Sequence, residues 1–165
     1  MAYILYFSYG SNMSSKRLQQ RVPSATFVST ASLVEHELRF HKKSHDGSAK
    51  CDAFETGNPD DIVIGTLFKI EQSEKYHLDE AEGLGYGYDI KHVKVLLPSG
   101  IIQEAFTYFA TDIEETLLPY LWYHNHVVTG AREFHLPPEY IDRIEQVKTI
   151  DDPDKQRHQK ESAIY

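Results

Sequence analysis

"YFSYGSNM", residues 6–13, closes an apolar run that begins at Tyr3. The run is short and aromatic, which fits a buried strand, and Gly10 ends it. A helical pattern, SSKRLQQR, opens at once, with Ser14 as a cap, Leu18 and Val22 on one face and Pro23 as a stop. A strand that ends in Gly-Ser-Asn ahead of a helix can turn successive backbone N–H groups toward one point. That makes a nest for a carboxylate or a developing oxyanion. A plain strand-to-helix turn capped by Asn12 or Ser14 explains the same residues, and taken alone the stretch favours it. No Gly-Lys pair follows, GxGxxG is absent, and Ser11 lacks the flanking glycines of a nucleophile elbow. P-loop, dinucleotide-binding and elbow-hydrolase readings therefore fail.

Outward from this turn, strand and turn signals alternate. Residues 26–30 and 37–41 read as strands and HKKSHDGSAK as a polar loop. Residues 49–55 and 62–70 read as a hairpin across GNPDD. EQSEKYHLDEAEG reads as a helix with Tyr76, Leu78 and Ala81 on its apolar stripe and Gly83 as its stop, followed by a loop, GLGYGYD. Residues 88–97 and 101–109 form a second hairpin across PSG. Residues 117–132 and 137–147 read as helices, with LPP fixing the second start. Strands in hairpins with interspersed helices predict one α+β domain over residues 1–150, with strands enough to close a small mixed barrel. The tail over 151–165, DDPDKQRHQKESAIY, is polar and expected to fray.

Composition narrows the partners. The 165 residues carry a formal charge of −8, which argues against a nucleic-acid backbone as partner. Eleven tyrosines suit a cavity that is apolar and still forms hydrogen bonds. Cys51 is the single cysteine, so no internal disulfide and no cysteine-based zinc site can form. MAYILYFSYG lacks a basic leader, and no apolar run reaches the length of a membrane span. The expectation is a soluble cytoplasmic protein without membrane contact, and a homodimer is compatible with it.

Two further clusters bear on chemistry. LDEAEG places Asp79, Glu80 and Glu82 at a helix end, where the dipole disfavours a carboxylate. A solvated acidic face is the commoner meaning of such a run, but Glu82 sits where the helix breaks into a glycine- and tyrosine-rich loop. His124, His126 and His135 show no metal-ligand spacing and are expected to be solvated or capping.

Taken together these pieces resemble the gamma-glutamylcyclotransferase-like family. LYFSYGSNM is similar to its signature of an apolar strand followed by Y-G-S-N and Leu or Met. LDEAEG resembles its D-x-x-E-G segment, GTLFKI its Gly-x-Leu-aromatic strand, and GAREFHLPPEYIDRI its G-A-x-E-x-x-L-P-x-x-Y segment. The four occur in matching order between Tyr6 and Ile144. The resemblance implies a small β-barrel with flanking helices and a cavity at one end. It implies conversion of a small γ-glutamyl substrate to 5-oxoproline with release of the amine, with no cofactor and no metal. Glu82 falls on the family's catalytic glutamate, and Tyr6, Ser8, Tyr9, Gly10 and Ser11 fall on its substrate cradle, which Asn12 completes. Tyr88 matches a substrate-side tyrosine after a one-residue gap, and Tyr123 matches another.

Residue chemistry agrees with that activity. The substrate's own α-amine attacks its γ-carbonyl, so no enzyme nucleophile is needed, only a base. The gap between an α-amine and a free glutamate is roughly 4 pH units, or about 5 kcal/mol against transfer. Burial that raised Glu82 by ~2 units would remove about half of it, and intramolecular attack supplies proximity. A γ-glutamyl amine or a biosynthetic γ-glutamyl intermediate is the alternative donor. The loop after Glu82 is one residue shorter than in the animal members, and WYHNH replaces an animal-type segment. A non-catalytic ligand-binding module on the same fold is the alternative of another class.

Overall fold

The computed structural model describes residues 1–165. Seven strands and five helices follow in the order β1 (Tyr3–Ser8), α1 (Ser15–Arg21), β2 (Thr26–Val34), β3 (His36–Lys43), β4 (Ala49–Glu55), β5 (Ile62–Glu71), α2 (Lys75–Glu82), β6 (Tyr88–Leu96), β7 (Ile102–Ala110), α3 (Leu121–Glu133), α4 (Pro138–Glu145) and α5 (Lys155–Ser162). Strands β1, β5, β2, β6 and β7 close a barrel in that order, and β3 and β4 form a separate two-stranded sheet. The expected α+β barrel with flanking helices is therefore present.

Strand β5 is the longest contact of the barrel. It runs antiparallel to β1, from Tyr3 opposite Glu71 to Ser8 opposite Thr66, and to β2 on its other edge. A strand covered on both faces reads as near-continuous apolar sequence, and in β5 Val63, Leu67 and Ile70 are fully buried. Strands β6 and β7 form the expected hairpin, from Tyr88 opposite Ala110 to Leu96 opposite Ile102. The two remaining seams are thin: Ser32 meets Leu96 between β2 and β6, and Tyr6 meets Phe106 in parallel between β7 and β1.

Three expectations are corrected. The GNPDD turn exists, with Asp61 N–H donating to the Asn58 carbonyl at 3.0 Å, but it does not join a hairpin. Strand β4 pairs with β3 instead, from His36 opposite Glu55 to Lys43 opposite Ala49. The polar loop between them supplies the turn: Asp46 accepts from Ser48 N–H at 3.0 Å, and Gly47 takes a φ of 87°. Second, α3 begins at Leu121, because Tyr120 is extended (φ −68°, ψ 147°) where residue 117 was expected to start a helix. Third, the tail is not frayed: it forms α5, capped by the Asp154 carboxylate accepting from Arg157 N–H.

Close approach of α3 positions the turn after β1. A Cβ added at Gly130 would stand 2.5 Å from the Met13 backbone carbon, so only glycine lets the helix lie against residues 11–13. Met13 is fully buried in the larger core cluster with Val127, Ala131 and Tyr123 of α3. Burying such a side chain contributes about 2 kcal/mol. No helix is long and apolar enough to cross a membrane.

Candidate active site

At one end of the barrel, β1 gives way to a turn of 3₁₀ helix over Ser11–Met13. Its first internal bond is Met13 N–H to the Gly10 carbonyl, at 3.1 Å. The N–H groups of Gly10, Ser11 and Asn12 precede that bond and so have no intrahelical acceptor. Ser14 then caps α1, its hydroxyl accepting from Arg17 N–H at 3.4 Å. Gly10 is needed for space: a Cβ there would lie 3.0 Å from Cys51 Cβ and 3.4 Å from the Tyr123 hydroxyl.

A narrow cleft opens over this turn, lined by residues of the turn together with Tyr6, Glu82, Tyr88, Tyr108, Tyr123 and Cys51. Eight of the nine residues singled out from sequence meet here: Tyr6, Tyr9, Gly10, Ser11, Asn12, Glu82, Tyr88 and Tyr123. Ser8 is the exception. Its hydroxyl is buried without a hydrogen-bond partner and does not line the cleft. Its carbonyl would stand 2.2 Å from a Cβ at Gly65, so Ser8 marks where the two strands press together.

Glu82 is the last residue of α2, which Gly83 terminates with a left-handed φ of 70°. The carboxylate reaches across to the turn. Asn12 Nδ2 donates to Glu82 Oε1 at 2.5 Å and to the Tyr6 hydroxyl at 3.2 Å. Arg21 Nη1 donates to Asn12 Oδ1 at 3.0 Å and to Glu82 Oε1 at 3.3 Å. The expected setting of apolar burial is not what surrounds this residue. Its side chain is 16 % exposed and shares one oxygen between an amide and a guanidinium.

Around the acid stands a ring of tyrosines. Burial pushes the pKa values of Tyr6, Tyr9, Tyr88 and Tyr123 upward, with nearby charge reinforcing it. They remain neutral hydroxyls at physiological pH. Most are committed to the fold: Tyr9 donates to the Tyr108 carbonyl at 2.6 Å and Tyr88 to the Cys51 carbonyl, while Tyr123 accepts from Cys51 N–H at 2.9 Å. Tyr108 donates to Asp79 at 2.5 Å, which ties α2 to β7 one turn before Glu82. Cys51 also lines the cleft, and burial pushes its thiol pKa up, so it is held as a neutral thiol.

Sequence reasoning missed Arg21, Tyr108 and Cys51. Arg17 and Arg21 carried a signal, since residues four apart share a helix face and that helix directly follows the turn. Of the three histidines expected to be solvated or capping, His135 is exposed, His124 meets the C-terminal end of α4, and His126 is an internal contact. His124 Nε2 bonds the Ile144 carbonyl at 2.7 Å, and His126 contacts the Tyr165 hydroxyl and Glu161. Both rings are buried.

A model of the AIG2-like family matches residues 62–144. The chain is 33% identical over 155 residues to the human protein named gamma-glutamylcyclotransferase, covering 89% of this chain and 80% of that one. It belongs to the gamma-glutamylcyclotransferase-like, or AIG2-like, family. The mouse protein of the same name is 32% identical to this AIG2-like chain over 152 residues, covering 87% of it and 78% of the mouse protein. A solved structure titled gamma-glutamyl cyclotransferase superposes with a TM-score of 0.84 at 28% identity, over 96% of this chain and 99% of that one.

Proposed function

We propose that the chain is a gamma-glutamylcyclotransferase, which closes the γ-glutamyl group of a small donor to 5-oxoproline and releases the amine. The observation that carries this reading is the hydrogen bond from Asn12 to Glu82. It fixes a carboxylate beside a turn with unused N–H groups, the pairing that intramolecular aminolysis requires. Gly10, Ser11 and Asn12 offer amide donors to an anionic oxygen of the γ-glutamyl group. Glu82 takes a proton from the α-amine as that amine attacks the γ-carbonyl, then returns it to the departing nitrogen.

Energetics are compatible with an ordinary carboxylate in this role. Moving a proton from an ammonium to a glutamate is uphill by about 5 kcal/mol. A turnover of ~10 s⁻¹ corresponds to a barrier of about 16 kcal/mol. That leaves about 11 kcal/mol for ring closure, which is intramolecular and aided by alignment. A strongly shifted base is therefore unnecessary.

A cytoplasmic location fits the single buried cysteine. The experiment is release of 5-oxoproline from γ-glutamyl dipeptides, γ-glutamyl-lysine and glutathione. Glu82→Gln and Glu82→Ala are expected to lower kcat by about 10²-fold or more. Equal turnover by wild type and Glu82→Gln would overturn the role of Glu82. Binding of donors without any product would assign the fold to a ligand-binding module.

A further inference from the structure

The turn that carries Ser11 is backed by a chain of polar contacts that runs out to α5. Arg17, in the first turn of α1, is 6% exposed, and its guanidinium spans two partners. Nε donates to the Ser11 hydroxyl at 3.1 Å, and Nη1 donates to Glu161 Oε2 at 2.8 Å. The same Glu161 oxygen lies 3.2 Å from His126 Nε2, so α1, α3 and α5 meet at one carboxylate. Glu161 is the one carboxylate within ion-pair distance of Arg17, with Glu82 acting on it from further off. A guanidinium is rigid and planar, so an acceptor at one of its nitrogens constrains where the others point.

What this does to Ser11 follows from the hydroxyl itself, which has one donor and two acceptor positions. Arg17 takes an acceptor position, and the hydroxyl hydrogen has no acceptor within the chain. Ser11 lines the cleft beside Glu82. With the guanidinium behind it, the hydroxyl is left to donate toward that cleft. Glu161 is not required to dock α5. That helix is capped by Asp154, and it is tied down by Arg157 on Asp152, by Asp152 on the Trp122 indole and by Tyr165 on Ser14. The Glu161 carboxylate is turned instead to Arg17, a cation that would be buried without a paired anion.

We propose that Arg17 and Glu161 are positioning residues: Glu161 on α5 orients the Arg17 guanidinium, which fixes the Ser11 hydroxyl as a donor to the γ-glutamyl group. The C-terminal helix thereby takes part in catalysis, although none of its residues lines the cleft. This rests on the cyclotransferase reading above.

The test is a double-mutant cycle, read as kcat/KM for release of 5-oxoproline from a γ-glutamyl dipeptide, with Tm measured in parallel. Ser11→Ala is expected to lower kcat/KM by about 10- to 100-fold, the range of one hydrogen bond to a charged group. Glu161→Ala is expected to lower it by about 3- to 10-fold alone and by less than about twofold in the Ser11→Ala background. Glu161→Gln, whose amide oxygen still accepts from Arg17, is expected to keep most of the activity. Arg17→Lys keeps the charge and loses the planar fork, and is expected to follow Glu161→Ala in both backgrounds. An unchanged kcat/KM in Glu161→Ala, with a lowered Tm, overturns the proposal and leaves α5 a role in stability alone. So does an equal loss with and without the Ser11 hydroxyl, since the effect would then bypass it. Should Arg17→Lys not fold, the cycle between Ser11 and Glu161 decides alone. Absence of 5-oxoproline in the wild type overturns the cyclotransferase reading itself and this inference with it.

Discussion

Asn12 Nδ2 lies 2.5 Å from Glu82 Oε1 and joins two segments separated by 70 residues. The amide has one orientation open to it, because Arg21 donates to its oxygen and leaves its NH₂ for the carboxylate. The asparagine is therefore the gauge that sets how far Glu82 stands from the turn.

Replacing Asn12 by alanine removes that gauge and leaves the carboxylate to Arg21. A fall in kcat of about 10- to 100-fold is expected, the scale of a misaligned catalytic group. Asn12→Asp is expected to lower the rate further, since a second carboxylate at this distance replaces the amide donor with a like charge. Wild-type kcat in both variants would separate the Asn12 contact from the rate.

Arg21 holds the same pair from its other side. Its guanidinium stands 3.3 Å from Glu82 Oε1 with its own side chain 24% exposed. Arg21→Met removes the donor to both Asn12 and Glu82. A fall in kcat smaller than that of Asn12→Ala is expected, because solvent screens this pair. Circular dichroism and steady-state kinetics of the two variants, measured side by side, check the order.

Gly130 controls how closely α3 approaches the turn. A Cβ there would meet backbone and side-chain atoms of Met13 at 2.5 Å. Gly130→Ala is expected to cost about 1–3 kcal/mol through displacement of that turn. Activity should fall further than the melting temperature alone explains, because residues 10–12 move with Met13. A variant with wild-type kcat and a lowered Tm would show that the turn tolerates the shift.

The C-terminal helix makes stability sensitive to acid. Burial opposes the charge on Glu161, yet His126 and Arg17 hold its pKa down at about 2. Burial lowers the His126 pKa, with Glu161 acting against it. Both folded values lie below their unfolded ones, so the unfolded chain binds more protons and stability falls as pH falls. The loss begins as pH drops below about 6.5, the ordinary histidine value, and continues through the carboxylate range toward 2. The expected Tm decrease between pH 7 and pH 4 is on the order of 5 °C, and Glu161→Gln should reduce it. A flat Tm across that interval would place the coupling elsewhere.

Legibility followed how local each signal was. The run from Tyr3 to Ser8, the cap at Ser14, the glycine stop after Glu82 and the proline start of α4 depend on one or two neighbours, and all four stand in the structure. The GNPDD turn was equally plain, but a turn does not choose the partner of the strand it precedes. Strand β3 takes β4 through a shorter loop. Polar composition hid α5 because its anchorage rests on a few groups: Asp152 accepts from the Trp122 indole at 2.8 Å, and Tyr165 donates to Ser14 at 2.8 Å. Within the site, the turn and Glu82 came from the family pattern. Nothing in the residues alone joins positions 12 and 82.

The single parallel pairing of Tyr6 with Phe106 has a consequence for how the protein folds. It links the first strand to the last, and closing a loop of that length carries an entropic cost that local hairpins do not bear. Tyr6 lies on that seam and in the cleft as well. The candidate site and closure of the barrel therefore share a residue, and activity regained during refolding is expected to report the late, long-range step rather than the early hairpins.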